Sequence, residues 1–282
     1  MTETWTPLKL VAWTQGYFAR AGVDAPRLTA EILLAHVLHC DRLRLYLDFD
    51  KPVAASELAA FRSLVKRRSD GEPAAYLIGK KEFFGRSFQT DRRALIPRPE
   101  TELLAETALQ LLPQGGSALD LCTGSGCLAV TLSLERPGAR VIATELSSDA
   151  AALARENAAA LGAHVEILEG DLFAPVPEGL RFHVILANPP YVPTAEISKL
   201  ARELSHEPRL ALDGGVDGLD LSRRIVEQAP RWLVPGGSLV LEMHESHPEP
   251  LARFCHESGF TQAEARLDLA GLPRFLVASG QH

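Results

Sequence analysis

From residue 117 onward the chain alternates between two periods, and no other feature restricts its fold as tightly. Short, nearly continuous apolar runs occur at Ala118–Cys122, Arg140–Glu145, Val165–Gly170, His183–Ala187 and Ser238–Met243. Helical spacing fills the gaps at Leu128–Glu135, Asp149–Leu161 and Leu219–Leu233. Strands that are apolar on both faces and joined by helices predict a parallel sheet covered on both sides. Thr261–Leu267 and Arg274–Ala278 follow with a tight gap between them, which predicts an antiparallel pair at the sheet edge.

The first 70 residues carry no strand pattern. Apolar residues at helical spacing predict helices over Leu8–Ala21, Leu28–Leu38 and Ser56–Arg68, the last capped by Ser56. Residues 74–98 are richer in aromatic and β-branched segments, Phe83-Phe84, Phe88 and Ala94-Leu95-Ile96, and suit a hairpin; a helix over Glu100–Leu112 follows Pro97 and Pro99. The expected organisation is a helical domain at 1–74, a β-hairpin linker at 75–98 and an α/β domain at 99–282. Charge divides at the same place. Residues 1–98 hold 16 basic and 11 acidic side chains, net +5; residues 99–282 hold 13 and 25, net −12. The basic excess includes Lys66-Arg67-Arg68, Lys80-Lys81 and Arg92-Arg93, read either as a solvated face or as contact with an acidic or RNA-bearing partner.

Charged residues make up 23% of the chain and apolar residues 46%, values that exclude disorder and coiled coil. No apolar stretch approaches the roughly 18 residues of a membrane span, and the N-terminus lacks the pattern of a cleaved signal. Four scattered cysteines suit reduced thiols in the cytoplasm, and neither Cys122/Cys127 nor His36/His39/Cys40 has the further ligands of a metal site. The expectation is a cytoplasmic monomer without metal.

Two segments carry chemistry. Asp120-Leu121-Cys122-Thr123-Gly124-Ser125-Gly126 follows the first strand of the alternating region and opens a helix. Gly124 and Gly126 permit a tight turn and close approach to a ligand. Glu145 ends the next strand, where a carboxylate accepts from two ribose hydroxyls. This spacing indicates an adenosine cofactor, and a dinucleotide site shows the same one. Asp120, placed to meet a cationic methionine end, and Asp171, placed to accept from an adenine amino group beside Leu172, favour S-adenosylmethionine. The second segment, Asn188-Pro189-Pro190-Tyr191, ends the strand His183–Ala187. The Asn188 side-chain carbonyl and the Pro189 main-chain carbonyl can accept both hydrogens of a planar –NH2 group, with Tyr191 against its flat face. An amide nitrogen is a poor nucleophile because its lone pair is delocalised. Holding its hydrogens turns the lone pair toward a sulfonium methyl, and alignment of this kind supplies up to ~7–11 kcal/mol in favourable cases.

The whole pattern resembles the release factor glutamine methyltransferases. The resemblance rests on Glu72–Gly79, Phe83-Phe84-Gly85, Leu95–Glu102, Asp120–Gly126, Asn188–Tyr191 and Glu207–Leu219, and covers nearly the full chain. It implies a Rossmann-like, seven-stranded class I methyltransferase sheet with an N-terminal helical bundle that recognises substrate and a β-hairpin linker. It implies transfer of a methyl group from S-adenosylmethionine, with S-adenosylhomocysteine as product, to the N5 of the glutamine in the Gly-Gly-Gln motif of bacterial class-one release factors. By that resemblance Cys122, Thr123, Gly124, Ser125, Gly126, Glu145 and Leu172 line the cofactor. Asn188 touches cofactor and substrate, and Pro189, Pro190 and Tyr191 hold the glutamine. Many members have Gly at Cys122, Asp at Glu145 and Glu-Ile-Gly where this chain has Glu242-Met243-His244. The Cys form of the loop is also familiar in the sister family acting on a ribosomal-protein glutamine, which stands as an alternative. An adenine-N6 methyltransferase is a further alternative, since the same tetrapeptide suits any planar amino group. The net −12 of the catalytic half opposes it, and no direct nucleic-acid binding is expected. A binding module without catalysis and a dehydrogenase fit less well, because Asn188–Tyr191 has no role in either.

Overall fold

A computed structural model describes residues 4–268 and 270–281. The chain forms two compact units, residues 1–80 with 201–206, and residues 81–200 with 207–282.

The first unit is helical: α1 (Pro7–Arg20), α2 (Pro26–Val37), α3 (Arg42–Leu47), α4 (Ala55–Ser69) and α5 (Ala74–Ile78). Leu10, Phe18, Leu33, Leu34, Phe61 and Val65 form its core. Two short helices, α3 and α5, add to the three expected. α3 is capped by Asp41, whose carboxylate accepts from the Arg44 N–H at 2.8 Å. Ser56 does not cap α4; the helix starts one residue earlier, and the Glu57 carboxylate accepts from the Ala54 N–H at 2.8 Å. The basic run is mostly paired within the unit. Arg67 reaches Glu72 at 2.7 Å, and the buried Arg68 reaches Glu203 at 2.7 Å and the Glu72 carbonyl at 3.2 Å. Lys66 is exposed, with no side-chain partner among the described residues.

The hairpin is tighter than expected. β1 (Lys80–Phe83) and β2 (Arg86–Gln89) are joined at Phe84-Gly85, both at positive φ (50° and 69°), the primed turn that matches strand twist. Ala94-Leu95-Ile96, expected as strand, is irregular: Pro97 and Pro99 remove two of the next three ladder donors, and the Ile96 N–H is taken by a side chain, Glu207, at 2.9 Å. Phe83 and Phe88 meet edge to face, centroids 6.0 Å apart, and are buried with Leu104 of α6 (Glu100–Leu111).

The second unit is built on β3 (Ser117–Leu121), β4 (Arg140–Glu145), β5 (Val165–Glu169), β6 (Phe182–Ala187), β7 (Leu233–Glu242), β8 (Phe260–Leu267) and β9 (Pro273–Gln281), in the order β5-β4-β3-β6-β7-β9-β8. The first five are parallel and β9 pairs antiparallel with both β7 and β8. This is the class I methyltransferase fold. Residues alternate between its two faces: Leu119, Leu121, Ile142, Ile185, Leu239 and Leu241 pack on one, Ala118, Val141, Ala143, Val184, Leu186 and Val240 on the other. α7 (Cys127–Glu135) is buried at six successive positions, Cys127 to Leu132, so its first turns are covered on every side. α8 (Ser148–Leu161), α9 (Asp220–Gln228) and α10 (Pro248–Glu257) complete the layers. α9 is shorter than the expected Leu219–Leu233. Pro230 has no N–H for the helix ladder, a 3-10 turn spans Ala229–Arg231, and β7 begins at Leu233, before the expected Ser238. No helix among the described residues is long and apolar enough to cross a membrane.

Candidate active site

β3 pairs with β4 on one side and β6 on the other, so the chain's strand order reverses there and a crevice opens at the carboxyl ends. A cavity of about 440 Å³ occupies that position, within the second unit. This is the size range of small-molecule sites.

The loop after β3 forms one wall. Cys122 (φ 58°), Gly124 (φ 56°) and Gly126 (φ 81°) are all left-handed, so the chain coils tightly into α7. The Gly126 N–H donates to the Thr123 carbonyl at 2.8 Å. A Cβ on Gly126 would stand 3.1 Å from Ala154 Cβ, so α8 packs against the loop only because that position has no side chain. The Ser125 carbonyl accepts from Asn157 Nδ2 at 2.9 Å, and Asn157 also bonds the Gln89 main chain, tying β2 to the loop. Burial drives the Cys122 thiol well above its ordinary value, with Glu145, Asp120 and Asp171 adding to the rise.

Glu145 is 8% exposed, and its oxygens accept from the Gly124 N–H (2.9 Å) and the Ser147 N–H (3.0 Å). Each carboxylate oxygen has a second lone pair, so this anchored carboxylate can still accept from two hydroxyls. Leu172 (φ 50°) and Asp171 follow β5 on the same wall. Asp171 pairs with Arg224 at 2.6 Å, both half-exposed.

Asp120 lies elsewhere. It is wholly buried beneath the loop, and its Oδ2 accepts from Thr123 Oγ1 (2.6 Å) and the Ala129 N–H (3.2 Å). Among the described residues its Oδ1 has no hydrogen-bond partner, and the residue is not on the cavity wall. Burial pushes its pKa up to about 7, opposed by those two hydrogen bonds.

Asn188 directly follows β6 and lines the cavity together with Pro190. Asn188 Nδ2 donates to Thr101 Oγ1 at 3.3 Å, and Thr101 Oγ1 donates to the buried Glu242 at 2.7 Å. Pro189 is buried and Tyr191 half-buried; neither side chain is on that wall. Tyr191 packs beside His244, centroids 6.4 Å apart, and burial, reinforced by Glu242, raises its hydroxyl to about 12. The tetrapeptide is backed by a glycine loop: the Val192 N–H donates to the Leu212 carbonyl (3.0 Å) and the Gly214 N–H to the Val192 carbonyl (2.8 Å). A Cβ on Gly214 would come within 2.7 Å of the Pro190 oxygen and 2.8 Å of Tyr191 Cα.

The cavity therefore gathers Cys122, Thr123, Gly124, Ser125, Glu145, Asp171, Leu172, Asn188 and Pro190, and leaves Asp120, Gly126, Pro189 and Tyr191 off its lining. Further residues on the wall carry no local signal of a site role in the sequence. Ala94 to Arg98 form a further wall, held by Glu207, which accepts from the Ile96 N–H at 2.9 Å and pairs with Arg98. Leu146 and Ser147, after β4, and Thr101 also line the cavity. The only sequence signal for the Leu95–Thr101 and Glu207 segments was their match to the family pattern.

Comparison with known proteins supports one assignment for both units. The PrmC N-terminal domain model matches residues 9–79 and the methyltransferase small domain model matches residues 99–216. The release factor glutamine methyltransferase of Geobacter sulfurreducens is 44% identical over 96% of each chain. That of Chlorobaculum tepidum is 43% identical over 99% of each. Among solved structures, a methyltransferase from Pyrococcus furiosus superposes with a TM-score of 0.56 at 20% identity, over 71% of this chain and 91% of its own, which bears on the fold alone.

Proposed function

The chain belongs to the release factor glutamine methyltransferase family and is an S-adenosylmethionine-dependent methyltransferase, and from that premise we propose that it methylates the side-chain N5 of the glutamine in the Gly-Gly-Gln motif of class-one peptide chain release factors. In this reading it acts as a cytoplasmic monomer whose helical domain, expected at residues 1–74 and contained in the unit of residues 1–80 with 201–206, contacts the release factor away from the reacting glutamine.

The observation that carries the reading is the convergence, on one cavity, of the Cys122–Ser125 loop, the anchored Glu145 and the Asn188 amide. The residues fit the cofactor. Glu145 keeps acceptor capacity for the ribose hydroxyls, and Leu172, Ala94, Ile96 and Leu146 offer apolar surface for the adenine. Asp171 offers an acceptor for the adenine amino group once Arg224 shares it. Bound there, S-adenosylmethionine supplies a methyl on a sulfonium and is converted to S-adenosylhomocysteine.

The remaining work is positioning. Asn188 Oδ1, on the cavity wall, and the Pro189 carbonyl accept the two amide hydrogens of the glutamine, which enters beside Pro190 and reaches Pro189 and Tyr191 just outside the lining of the cofactor cavity. The nitrogen lone pair is thereby aimed along the line of transfer. No strong base is required beforehand, because the amide proton becomes acidic as positive charge develops on nitrogen, and it leaves to water. The test is transfer of label from S-adenosylmethionine to purified release factor, alongside a Gly-Gly-Ala version of the factor. Label on the Gly-Gly-Gln factor alone is the expected result. Label on neither, with cofactor binding intact, overturns the assignment and directs the search to a ribosomal-protein glutamine or to nucleic acid.

A further inference from the structure

An asparagine amide has an accepting end and a donating end of nearly the same shape. If Asn188 turned by half a rotation it would present N–H groups to the substrate's own –NH2, donor against donor, so something must decide which end faces the cavity. Thr101, 2% exposed at the start of α6, and Glu242, 4% exposed at the end of β7, stand behind Asn188 in a line. The Thr101 hydroxyl has one proton, and it is committed to Glu242 Oε2 at 2.7 Å. Toward Asn188 the hydroxyl oxygen has only lone pairs to offer, so it accepts from Nδ2 at 3.3 Å and Oδ1 is turned away.

We propose that Thr101 and Glu242 are positioning residues that fix the orientation of the Asn188 amide so that its Oδ1 faces the substrate nitrogen. The inference rests on the glutamine-methylation reading for its kinetic consequences, while the orientation itself is a property of the free protein. The polarity of the chain depends on Glu242 being an acceptor. A protonated Glu242 can donate to Thr101, which frees the Thr101 proton for Asn188 and favours the reversed amide. Burial pushes the Glu242 pKa up to about 7; Thr101 and the cations Arg274 and Arg98 oppose this, and Glu100 reinforces it. Tyr191, also facing Glu242, stays neutral throughout the neutral range.

The experiment compares wild type with Thr101→Val, Thr101→Ser and Glu242→Gln, each first checked for a cooperative thermal transition. Thr101→Val should lower kcat about tenfold or more, the consequence of losing one orienting hydrogen bond, with S-adenosylmethionine affinity changed less than about threefold. Thr101→Ser keeps the hydroxyl and should restore kcat. Wild-type kcat should fall on the acid side of about pH 7; Glu242→Gln should be low and lack that limb. An unchanged kcat in Thr101→Val, no rescue by Thr101→Ser, or an acid limb retained in Glu242→Gln would overturn the proposal. A readout without substrate separates it from the functional reading. Asn157 and Asn188 are the only asparagines in the chain, so asparagine labelled with nitrogen-15 gives two side-chain amide pairs. The pair absent from Asn188→Ala should show a cross-relaxation contact to Thr101 in wild type and lose it in Glu242→Gln. If wild type methylates no release factor but the contact behaves this way, the functional reading fails and the orientation stands. If the contact is missing in wild type, the orientation fails whatever the substrate.

Discussion

Replacing Glu207 by alanine should open the cavity wall and destabilise the second unit together. The side chain of Glu207 is 0% exposed, and its two oxygens serve different partners, the Ile96 N–H at 2.9 Å and the Arg98 guanidinium. Ile96 is itself buried, so its N–H would be stranded at a cost of about 1–3 kcal/mol. Arg98 is 30% exposed and can turn to water, so losing that partner adds only about 1 kcal/mol. The total, about 2–4 kcal/mol, corresponds to a lowering of Tm by roughly 5–15 °C for a domain of this size. Urea unfolding followed by Trp232 fluorescence, with Trp5 and Trp13 changed to phenylalanine, reports on this unit. Because Ile96 and Arg98 line the cavity, affinity for S-adenosylmethionine should weaken in parallel. Glu207→Gln keeps an acceptor for the Ile96 N–H and should lie within about 1 kcal/mol of wild type, since its loss is confined to the pair with the partly exposed Arg98 guanidinium, which can turn to water. An alanine variant within ~0.5 kcal/mol of wild type, or a glutamine variant as damaged as alanine, would refute the view that the buried N–H is what Glu207 holds.

Three further outcomes are expected. Asn188→Ala should lower kcat about a hundredfold while leaving S-adenosylmethionine affinity within a few-fold; equal losses in titration calorimetry and turnover would mean that Asn188 mainly holds the cofactor. Asp120 has a folded pKa of about 7, raised by burial above the ~3.9 of an unfolded aspartate. Its contribution to stability is therefore complete below pH ~4 and lost as pH rises to about 7, by up to about 4 kcal/mol. The stability difference between wild type and Asp120→Asn should move with pH across that window in denaturant titrations, and a flat difference contradicts the burial argument. Gly214→Ala places a Cβ 2.7 Å from the Pro190 oxygen, a backbone atom that cannot yield without shifting the tetrapeptide. Its kcat/KM should fall at least about tenfold, and wild-type turnover would show that the loop has slack.

Local periodicity made the architecture legible. The central strands run apolar on both faces because both faces are covered, and the helices between them repeat at 3.6 residues, so five parallel strands and the edge pair could be placed from residue types alone. The places that went astray involve proline or short elements. Pro230 cut α9 short, Pro97 and Pro99 kept Ala94–Ile96 out of a strand, α3 and α5 are too short for a helical period to show, and α10 opens on Pro248-Glu249-Pro250, so its first turn reads as a loop. The glycine loop and Asn188–Tyr191 were visible for a similar local reason: each places its functional groups within a few consecutive residues, so composition and chemistry coincide.

The amino-acid order by itself determined the sheet, the turn after β3, the carboxylate at the end of β4 and the tetrapeptide at the end of β6. Each of these follows from neighbours within a turn or a strand length. Only the tertiary structure decided that Asp120 is buried beneath the loop and that Glu207 clasps Ile96 across 111 positions. It alone decided that Thr101 meets Glu242 across 141. A buried polar group is satisfied by whatever partner the packed core brings to it, and that partner leaves no period, spacing or composition in the stretch of chain where the group itself is written.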